Sequence, residues 1–258
     1  MAATNSSMKD HSPNSQKEAM IKGGQIISRV MAELIPKIKP GITTLALDEE
    51  ATRLIHQFGG ELSFNKVPGY KHATCMSVNE VIVHGVPNTY VLKDGDVLKV
   101  DIGAYFGGYH VDYGDTFYVG NNPSIEISNF LEVGRKTLQE IIALAKKDVR
   151  IGLISSTIEK NIHGAGYKVV LDLTGHAVGK QLHEEPLIPG FLDTDIKNTP
   201  RLKAGRAYAL EVIYSMRDDC ISYANNDGWS LRTRKNSQSA CFENSLFIGE
   251  NETIILVN

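Results

Sequence analysis

The chain has 258 residues, of which 42% are hydrophobic and 22% are charged, a composition typical of a globular protein and not of a disordered one. Its 27 Lys and Arg residues against 30 Asp and Glu residues give a formal net charge of −3, so no basic excess is available to bind nucleic acid phosphates. No apolar segment is long enough to span a bilayer, and the three cysteines lack any C-x-x-C spacing. We therefore expect a cytoplasmic protein with reduced thiols that binds neither nucleic acid nor membranes.

The chain begins with a polar segment and two helices. Residues 1–16 are rich in Ser and Asn and contain almost no large apolar side chains, which predicts a mobile tail. Apolar residues recur at helical spacing over residues 17–37, and a second helix is predicted for residues 44–58, where Gly59 and Gly60 end it.

A similar pattern recurs downstream. Residues 129–147 predict an amphipathic helix, and the following V-R-I-G-L-I-S-S-T-I-E-K-N-I aligns with I-K-P-G-I-T-T-L-A-L-D-E-E-A when Gly152 is set on Gly41. Ser155 then corresponds to Thr44, so the next helix is expected to start near Ser155. Either an internal duplication or chance similarity explains the alignment, and a duplication predicts one domain of two related halves with a site between them.

Predicted strands follow each helix pair. In chain order they are residues 75–83, 97–105, 109–119, 168–173, 207–215, 240–248 and 253–257. Helices followed by runs of strands are typical of an α+β fold, in which helices cover one face of an antiparallel sheet.

The first chemical signal is a hairpin in V-D-I-G-A-Y-F-G-G-Y-H-V-D. A turn at Phe106-Gly107 sets Asp101 directly opposite Asp112 on one face, whereas a turn at Gly107-Gly108 breaks this opposition. Opposed carboxylates repel each other and need a cation, a shared proton or solvent. Either a metal site or an exposed polar face fits the hairpin taken alone.

Two later strands each contain an acid among apolar residues: Glu211 in A-Y-A-L-E-V-I-Y and Glu243 in S-A-C-F-E-N-S-L-F. A buried carboxylate without a partner is costly. Each acid therefore needs a partner, unless strand alternation turns it to solvent.

Three of the eight histidines stand in distinctive contexts. His84 ends an apolar strand, His176 lies in what we interpret as a glycine-flanked turn in T-G-H-A-V-G-K, and His183 lies in L-H-E-E-P. The others occupy tail, helix, loop or ordinary strand positions. Carboxylates completed by one imidazole suit divalent ions such as Mn, Fe, Co or Zn.

Taken in order, D-I-G-A, H-V-D, G-H-A-V-G-K-Q-L-H-E-E-P, L-E-V and F-E-N resemble the motifs of methionine aminopeptidases in the pita-bread metallopeptidase family. The similarity runs from about Lys17 to Asn258, and the lack of a long insertion in the second half resembles type I. It implies a single catalytic domain at residues 17–258, with a pseudo-twofold pita-bread fold in which two helix pairs cover a curved antiparallel sheet.

The resemblance also implies roles for individual residues. It makes five residues the ligands of two divalent metal ions: Asp101, Asp112, His176, Glu211 and Glu243. Asp112 and Glu243 would bridge the ions, and Glu211 would also transfer a proton during catalysis. His84 and His183 would contact the substrate, together with pocket residues at Tyr70, Cys75 and Trp229.

The activity implied is removal of the initiator methionine from nascent proteins and peptides by a dinuclear metal-activated hydroxide. The expected partners are peptide or nascent-chain N-termini, with ribosome association a further expectation, and the expected state is a monomer. The departures from the family pattern include Phe64, Val67, Leu182, Val212 and Asn244. Those at Phe64, Val67, Leu182 and Asn244 leave the strictness of the preference for methionine open.

Two alternatives stay open at this stage. One is another exopeptidase of the same fold, such as a prolidase or X-Pro aminopeptidase, although these carry an additional N-terminal domain for which we expect no space in 258 residues. The other is a non-catalytic binding module on the same scaffold.

Overall fold

The computed structural model describes residues 13–258. This part of the chain contains four α-helices: α1 (Pro13–Leu34), α2 (Thr44–Gln57), α3 (Ile125–Leu144) and α4 (Ile151–Gly164). Most of the predicted tail, residues 1–12, lies outside the described residues. Residues 13–16 belong to α1, so this helix begins earlier than predicted, at a proline whose fixed φ suits the first helical position. No described helix is long and apolar enough to cross a membrane.

The strands of the described part of the chain form two sheets. In chain order they are β1 (Glu61–Leu62), β2 (Thr74–Val78), β3 (Val81–Val83), β4 (Val97–Phe106), β5 (Tyr109–Tyr118), β6 (Lys168–Val169), β7 (Thr174–Val178), β8 (Glu184–Pro189), β9 (Arg206–Ser215), β10 (Ile221–Tyr223), β11 (Leu231–Thr233), β12 (Ser239–Ile248) and β13 (Thr253–Ile255).

Two of the predicted strands are shorter or broken. The segment 75–83 divides into β2 and β3 at Asn79, which has a positive φ of 54°. The segment 168–173 contains only the two-residue β6, and the chain becomes extended again in β7. Strands β1, β7, β8, β10 and β11 were not predicted.

The main sheet is antiparallel and has the strand order β1-β4-β5-β12-β9-β7-β8. Three short strands extend it: β2 pairs with β4, β6 with β9 and β13 with β12. Strands β10, β11 and β3 form the second, smaller sheet. The predicted α+β architecture with an antiparallel sheet is confirmed.

The helices cover one face of the main sheet. Helix α1 packs on β4 and β5, and α3 packs on β9 and β12. Alternate side chains of β4, such as Val100 and Ile102, enter the core beneath α1 and α2, while Leu210 and Phe242 enter the core beneath α3 and α4. The intervening residues of these strands point to the opposite face, where polar side chains can meet.

The two helix pairs are arranged similarly on the two halves of the sheet, but the predicted register between them is off by one turn. Helices α2 and α4 both have 14 residues and coincide when Thr44 is set on Ile151. Ser155 therefore lies inside α4 and does not begin it. Gly152 belongs to the first turn of α4, where a Cβ would come within 2.8 Å of the Thr199 side chain.

Candidate metal centre

Five adjacent strands each contribute one of the residues expected to bind metal. In sheet order, β4, β5, β12, β9 and β7 provide Asp101, Asp112, Glu243, Glu211 and His176. All five alternate with side chains that enter the two cores, so they lie on the face away from the helices. The sheet thereby gathers residues that are up to 142 positions apart in the sequence.

The β4–β5 hairpin turns at Gly107-Gly108, whose φ values are 61° and 98°. Two consecutive left-handed residues suit glycine and would strain Phe106. Asp101 therefore pairs with Gly114, and Asp112 with Gly103. Of the two turns considered, the one that breaks the direct opposition is present: the two aspartates are diagonal neighbours on the same face.

Small residues between the acids leave space for the carboxylates. Gly114 lies between Asp101 and Glu243 in the sheet, and a Cβ there would lie 3.3 Å from Glu243 Oε2. Ser245 Oγ accepts a hydrogen bond from the Asp112 amide at 3.0 Å and donates to the Asp112 carbonyl at 2.8 Å. These contacts hold the backbone of β5 against β12 at Asp112.

His176 lies within β7, and the prediction that it occupies a turn is wrong. Its Nδ1 is 3.0 Å from the Ala177 carbonyl oxygen, which can only accept, so Nδ1 carries the proton. Burial, followed by the nearby His183, lowers the pKa of His176 to about 4. The ring is therefore neutral at physiological pH, and its Nε2 lone pair lies 3.5 Å from Glu211 Oε1 and 4.0 Å from Asp112 Oδ2.

Apart from neutral His176, no basic side chain within residues 13–258 forms an ion pair with the acids of this cluster. Asp101 Oδ1 and Glu243 Oε1 are buried without a hydrogen-bond partner among the described residues. Burial raises the pKa of Asp112 to about 7, and burial together with mutual repulsion raises the pKa of Asp101, Glu211 and Glu243 well above the usual range. Donor atoms of Asp112, His176 and Glu243 lie within 4.8 Å of one another. Oxygen donors, one imidazole and excess negative charge fit a divalent cation.

Without metal, the protein should become less stable as pH rises through about 7, the pKa of Asp112, and above it. The carboxylates hold protons in the folded state that the unfolded chain has already released, so their stabilising contribution is lost as pH rises through the raised folded-state pKa values. Thermal unfolding in EDTA should show a falling midpoint, and saturating Mn²⁺ should remove the fall because metal binds the deprotonated ligands. Asp112→Asn is the matched control and should have a shallower dependence; an unchanged slope would contradict this account.

A pocket of about 450 Å³ adjoins the cluster. Its lining includes Asp101 and Asp112. The five predicted substrate-contacting residues also line it: Tyr70, Cys75, His84, His183 and Trp229. The structure thus brings together the expected ligands and the expected substrate contacts, which fit one site.

The inner wall of this pocket is apolar. The rings of Tyr70 and Trp229 pack edge to face with centroids 5.1 Å apart. The Tyr70 hydroxyl donates to the Thr74 carbonyl at 2.8 Å and lies 3.3 Å from Cys75 Sγ. Burial raises the pKa of the Cys75 thiol, so the thiol stays neutral and the wall uncharged.

The departures from the family pattern fall into two groups. Phe64, Val67 and Leu182 line or pack around the pocket and therefore shape it. Val212 and Asn244 face away from it: Val212 belongs to the core beneath α3, and the Asn244 side chain donates to the Val257 carbonyl at 2.8 Å. Only the first group can alter side-chain preference by direct contact.

The two predicted substrate histidines differ in exposure. His84 follows β3 with a positive φ of 56°, and burial lowers its pKa. His183 is exposed, and its ring centroid lies 4.5 Å from that of His176. His183 is therefore open to a ligand in the pocket while remaining next to the metal cluster.

Sequence reasoning did not single out three neighbours of the site. Ser245 supports Asp112 as described above. Buried Lys99, whose pKa burial lowers to about 7, donates to the Asn79 carbonyl at 2.6 Å and to Ser239 Oγ at 3.2 Å. His110, treated above as an ordinary strand residue, is buried with Nδ1 2.7 Å from Ser63 Oγ. For Lys99, the signal was a charge inside the apolar run V-L-K-V.

Comparison with known proteins agrees with this geometry. The profile of Metallopeptidase family M24 matches residues 18–250. "Methionine aminopeptidase 1" of Bacillus subtilis is 37% identical over 231 residues, which cover 90% of this chain and 92% of the relative. "Methionine aminopeptidase" of Clostridium perfringens is 34% identical over 239 residues, 93% of this chain and 94% of the relative.

Solved structures extend the comparison to the fold. The methionine aminopeptidase of Thermotoga maritima has a TM-score of 0.91 at 32% identity, covering 97% of this chain and 100% of that chain. The prolidase of Pyrococcus furiosus shares the fold at a TM-score of 0.75 and 20% identity, covering 94% of this chain and 64% of that one. The predicted pita-bread fold is confirmed, and this chain belongs to metallopeptidase family M24.

Proposed function

We propose that this protein is a metal-dependent aminopeptidase that hydrolyses the bond after an N-terminal methionine. The observation that carries the proposal is the position of a small, mostly apolar pocket directly against a cluster of buried carboxylates and one neutral imidazole. The names of the family M24 relatives support the same activity.

The pocket accounts for recognition of the first residue. An unbranched thioether side chain fits beside the rings of Tyr70 and Trp229, and sulfur contacts with aromatic rings are favourable. The free α-amine of the substrate, as the neutral base, would bind a metal ion held by the buried carboxylates. An internal peptide segment has no such amine, so the site favours chain ends.

The donor set fits divalent metal ions, and we propose two of them, with Mn, Fe, Co and Zn as candidates. Five residues would hold the ions: Asp101, Asp112, His176, Glu211 and Glu243. Such ions supply an acidified water and a positive charge for the oxygen that becomes negative in the reaction.

The chain's own residues then manage protons and position the substrate. Glu211, whose pKa is raised by burial and by Asp112, would take a proton from the attacking water and pass it to the nitrogen of the leaving peptide as the C–N bond breaks. His183 is exposed in the pocket and would donate a hydrogen bond to the carbonyl oxygen. His84, which follows β3 and also lines the pocket, would contact the substrate from a second position.

Peptide release tests the proposal. Protein loaded with Mn²⁺, Co²⁺ or Fe²⁺ should release methionine from Met-Ala-Ser and should leave Lys-Ala-Ser intact. The ammonium of the lysine side chain would otherwise be buried against the apolar residues of the pocket. Absence of methionine release with every metal, while two equivalents are bound, would overturn it. Preferential cleavage of X-Pro peptides would instead establish a prolidase-like enzyme, and failure to hold metal would favour a binding module.

The setting of the reaction is part of the proposal. Initiator methionines first become available on nascent chains, so we place the activity in the cytoplasm, on chains emerging from the ribosome. We also propose that the protein acts as a monomer. Sedimentation of the purified protein tests the oligomeric state, and co-sedimentation with ribosomes tests the association.

A further inference from the structure

A second cavity, of about 800 Å³, adjoins the pocket at His183. The two cavities share Val67, Leu182 and His183 as lining residues. A peptide whose first residue fills the pocket can therefore continue past His183 into the second cavity. Its next residues would leave the site in that direction.

The second cavity is basic. Besides the shared residues it is lined by Lys66, Pro68, Tyr105, His110, Lys180 and Gln181, and none of these residues is acidic. Burial lowers the pKa of His110 to about 4, so this ring is neutral at physiological pH. The positive charge of the cavity therefore comes from its two lysines.

The two lysines differ in what surrounds their charges. Lys66 Nζ lies 2.8 Å from Glu61 Oε2 and 4.1 Å from the centroid of the Tyr105 ring, so its charge is already matched. Lys180 is exposed, and its ammonium forms no hydrogen bond or ion pair within residues 13–258. Lys180 is thus the cation of this cavity that is available to a ligand.

The loop that carries Lys180 is fixed at both ends. The His110 amide donates to the Gly179 carbonyl at 2.8 Å, and the Gln181 amide donates to Glu184 Oε1 at 3.1 Å. Glu184 also pairs with Arg206 at 3.3 Å, so the acid nearest in sequence is already engaged. Among the residues that the structure describes, none supplies a counter-charge to Lys180 at the cavity.

We propose that the second cavity binds the substrate residues that follow the scissile bond, and that Lys180 selects an acidic side chain at the third or fourth position of the peptide. Residue spacing in an extended chain is about 3.3 Å, so the side chains of these positions follow closely behind His183. The inference rests on the aminopeptidase function proposed above and adds a substrate preference to it.

Peptides that differ only at the third residue test this preference. With Met-Ala-Glu-Gly, Met-Ala-Gln-Gly and Met-Ala-Lys-Gly, and the same series varied at the fourth residue, kcat/KM should fall in the order Glu, Gln, Lys, with about a two- to fivefold advantage of Glu over Gln at low salt. The advantage should shrink as ionic strength rises. Lys180→Glu should reverse the order, and Lys180→Gln should flatten it.

Lys168→Glu is the control, because it makes the same charge change at an exposed lysine of β6, outside the lining of both cavities. It should leave the order intact. Equal cleavage of all peptides by the unmodified protein, or an order that Lys180→Glu does not alter, would overturn the inference while leaving the aminopeptidase function in place. No methionine release from any peptide would instead refute the proposed function.

Discussion

Asp112→Asn and Glu243→Gln should each abolish turnover, lowering kcat/KM by more than about a hundredfold, since loss of a supporting outer contact alone costs about 10- to 100-fold at metal sites. Both substitutions keep the side chain's shape and remove its charge. Asp112 Oδ2 faces the His176 lone pair, and Glu243 Oε1 has no other described partner. Metal content after dialysis should fall in parallel with methionine release.

Asp172→Asn is the matched control, because it removes one carboxylate charge at an exposed position of a loop. It should keep metal and activity. The two site variants should also melt at least as high as the unmodified protein when metal is absent, because each relieves repulsion among buried acids. A Glu243→Gln protein that kept both metal equivalents and full turnover would show that the proposed ligand set is wrong.

His183→Ala should lower kcat by about 100- to 1,000-fold while leaving the bound metal in place. One donor to a developing oxyanion contributes about this much in hydrolytic enzymes, and exposed His183 lines the pocket without belonging to the cluster of closely spaced donors. Metal analysis and kinetics on the same preparation separate the two properties.

Substitutions of two other histidines serve as controls for this prediction. His176→Ala should lose metal and activity together, whereas exposed His163→Ala at the end of α4 should change neither. Metal loss in His183→Ala would move this residue from the substrate contacts to the ligands.

The resemblance to a known family indicated which residues would meet, whereas the residue spacing left the pairing register of the hairpin open between two turns. The spacing from Asp101 to Asp112 was sufficient to put both aspartates on one hairpin and one face. Their exact pairing depends on which dipeptide forms the turn, and Phe106-Gly107 and Gly107-Gly108 differ by a single residue. The backbone geometry of two consecutive glycines decided between them.

The predicted alignment of α4 with α2 was wrong for a related reason. Moving one amphipathic helix by four residues leaves nearly the same apolar face toward the core, so the alignment of Ser155 with Thr44 and that of Ile151 with Thr44 are almost equally compatible with the pattern. Contacts with a distant segment, Thr199 beside Gly152, fix where α4 begins. Such long-range packing has no local signature in the sequence.

Metal binding would also hold β5 and β12 together, because the proposed ligands lie on both sides of this strand pair. Asp101 and Asp112 precede α3, whereas His176, Glu211 and Glu243 follow it, and the two groups meet where Gly114 pairs with Glu243. Bound ions would therefore clamp two halves of the chain across one pair of strands, and opening that pair would release them. Metal occupancy and amide hydrogen exchange along β5 and β12 should accordingly report the same event.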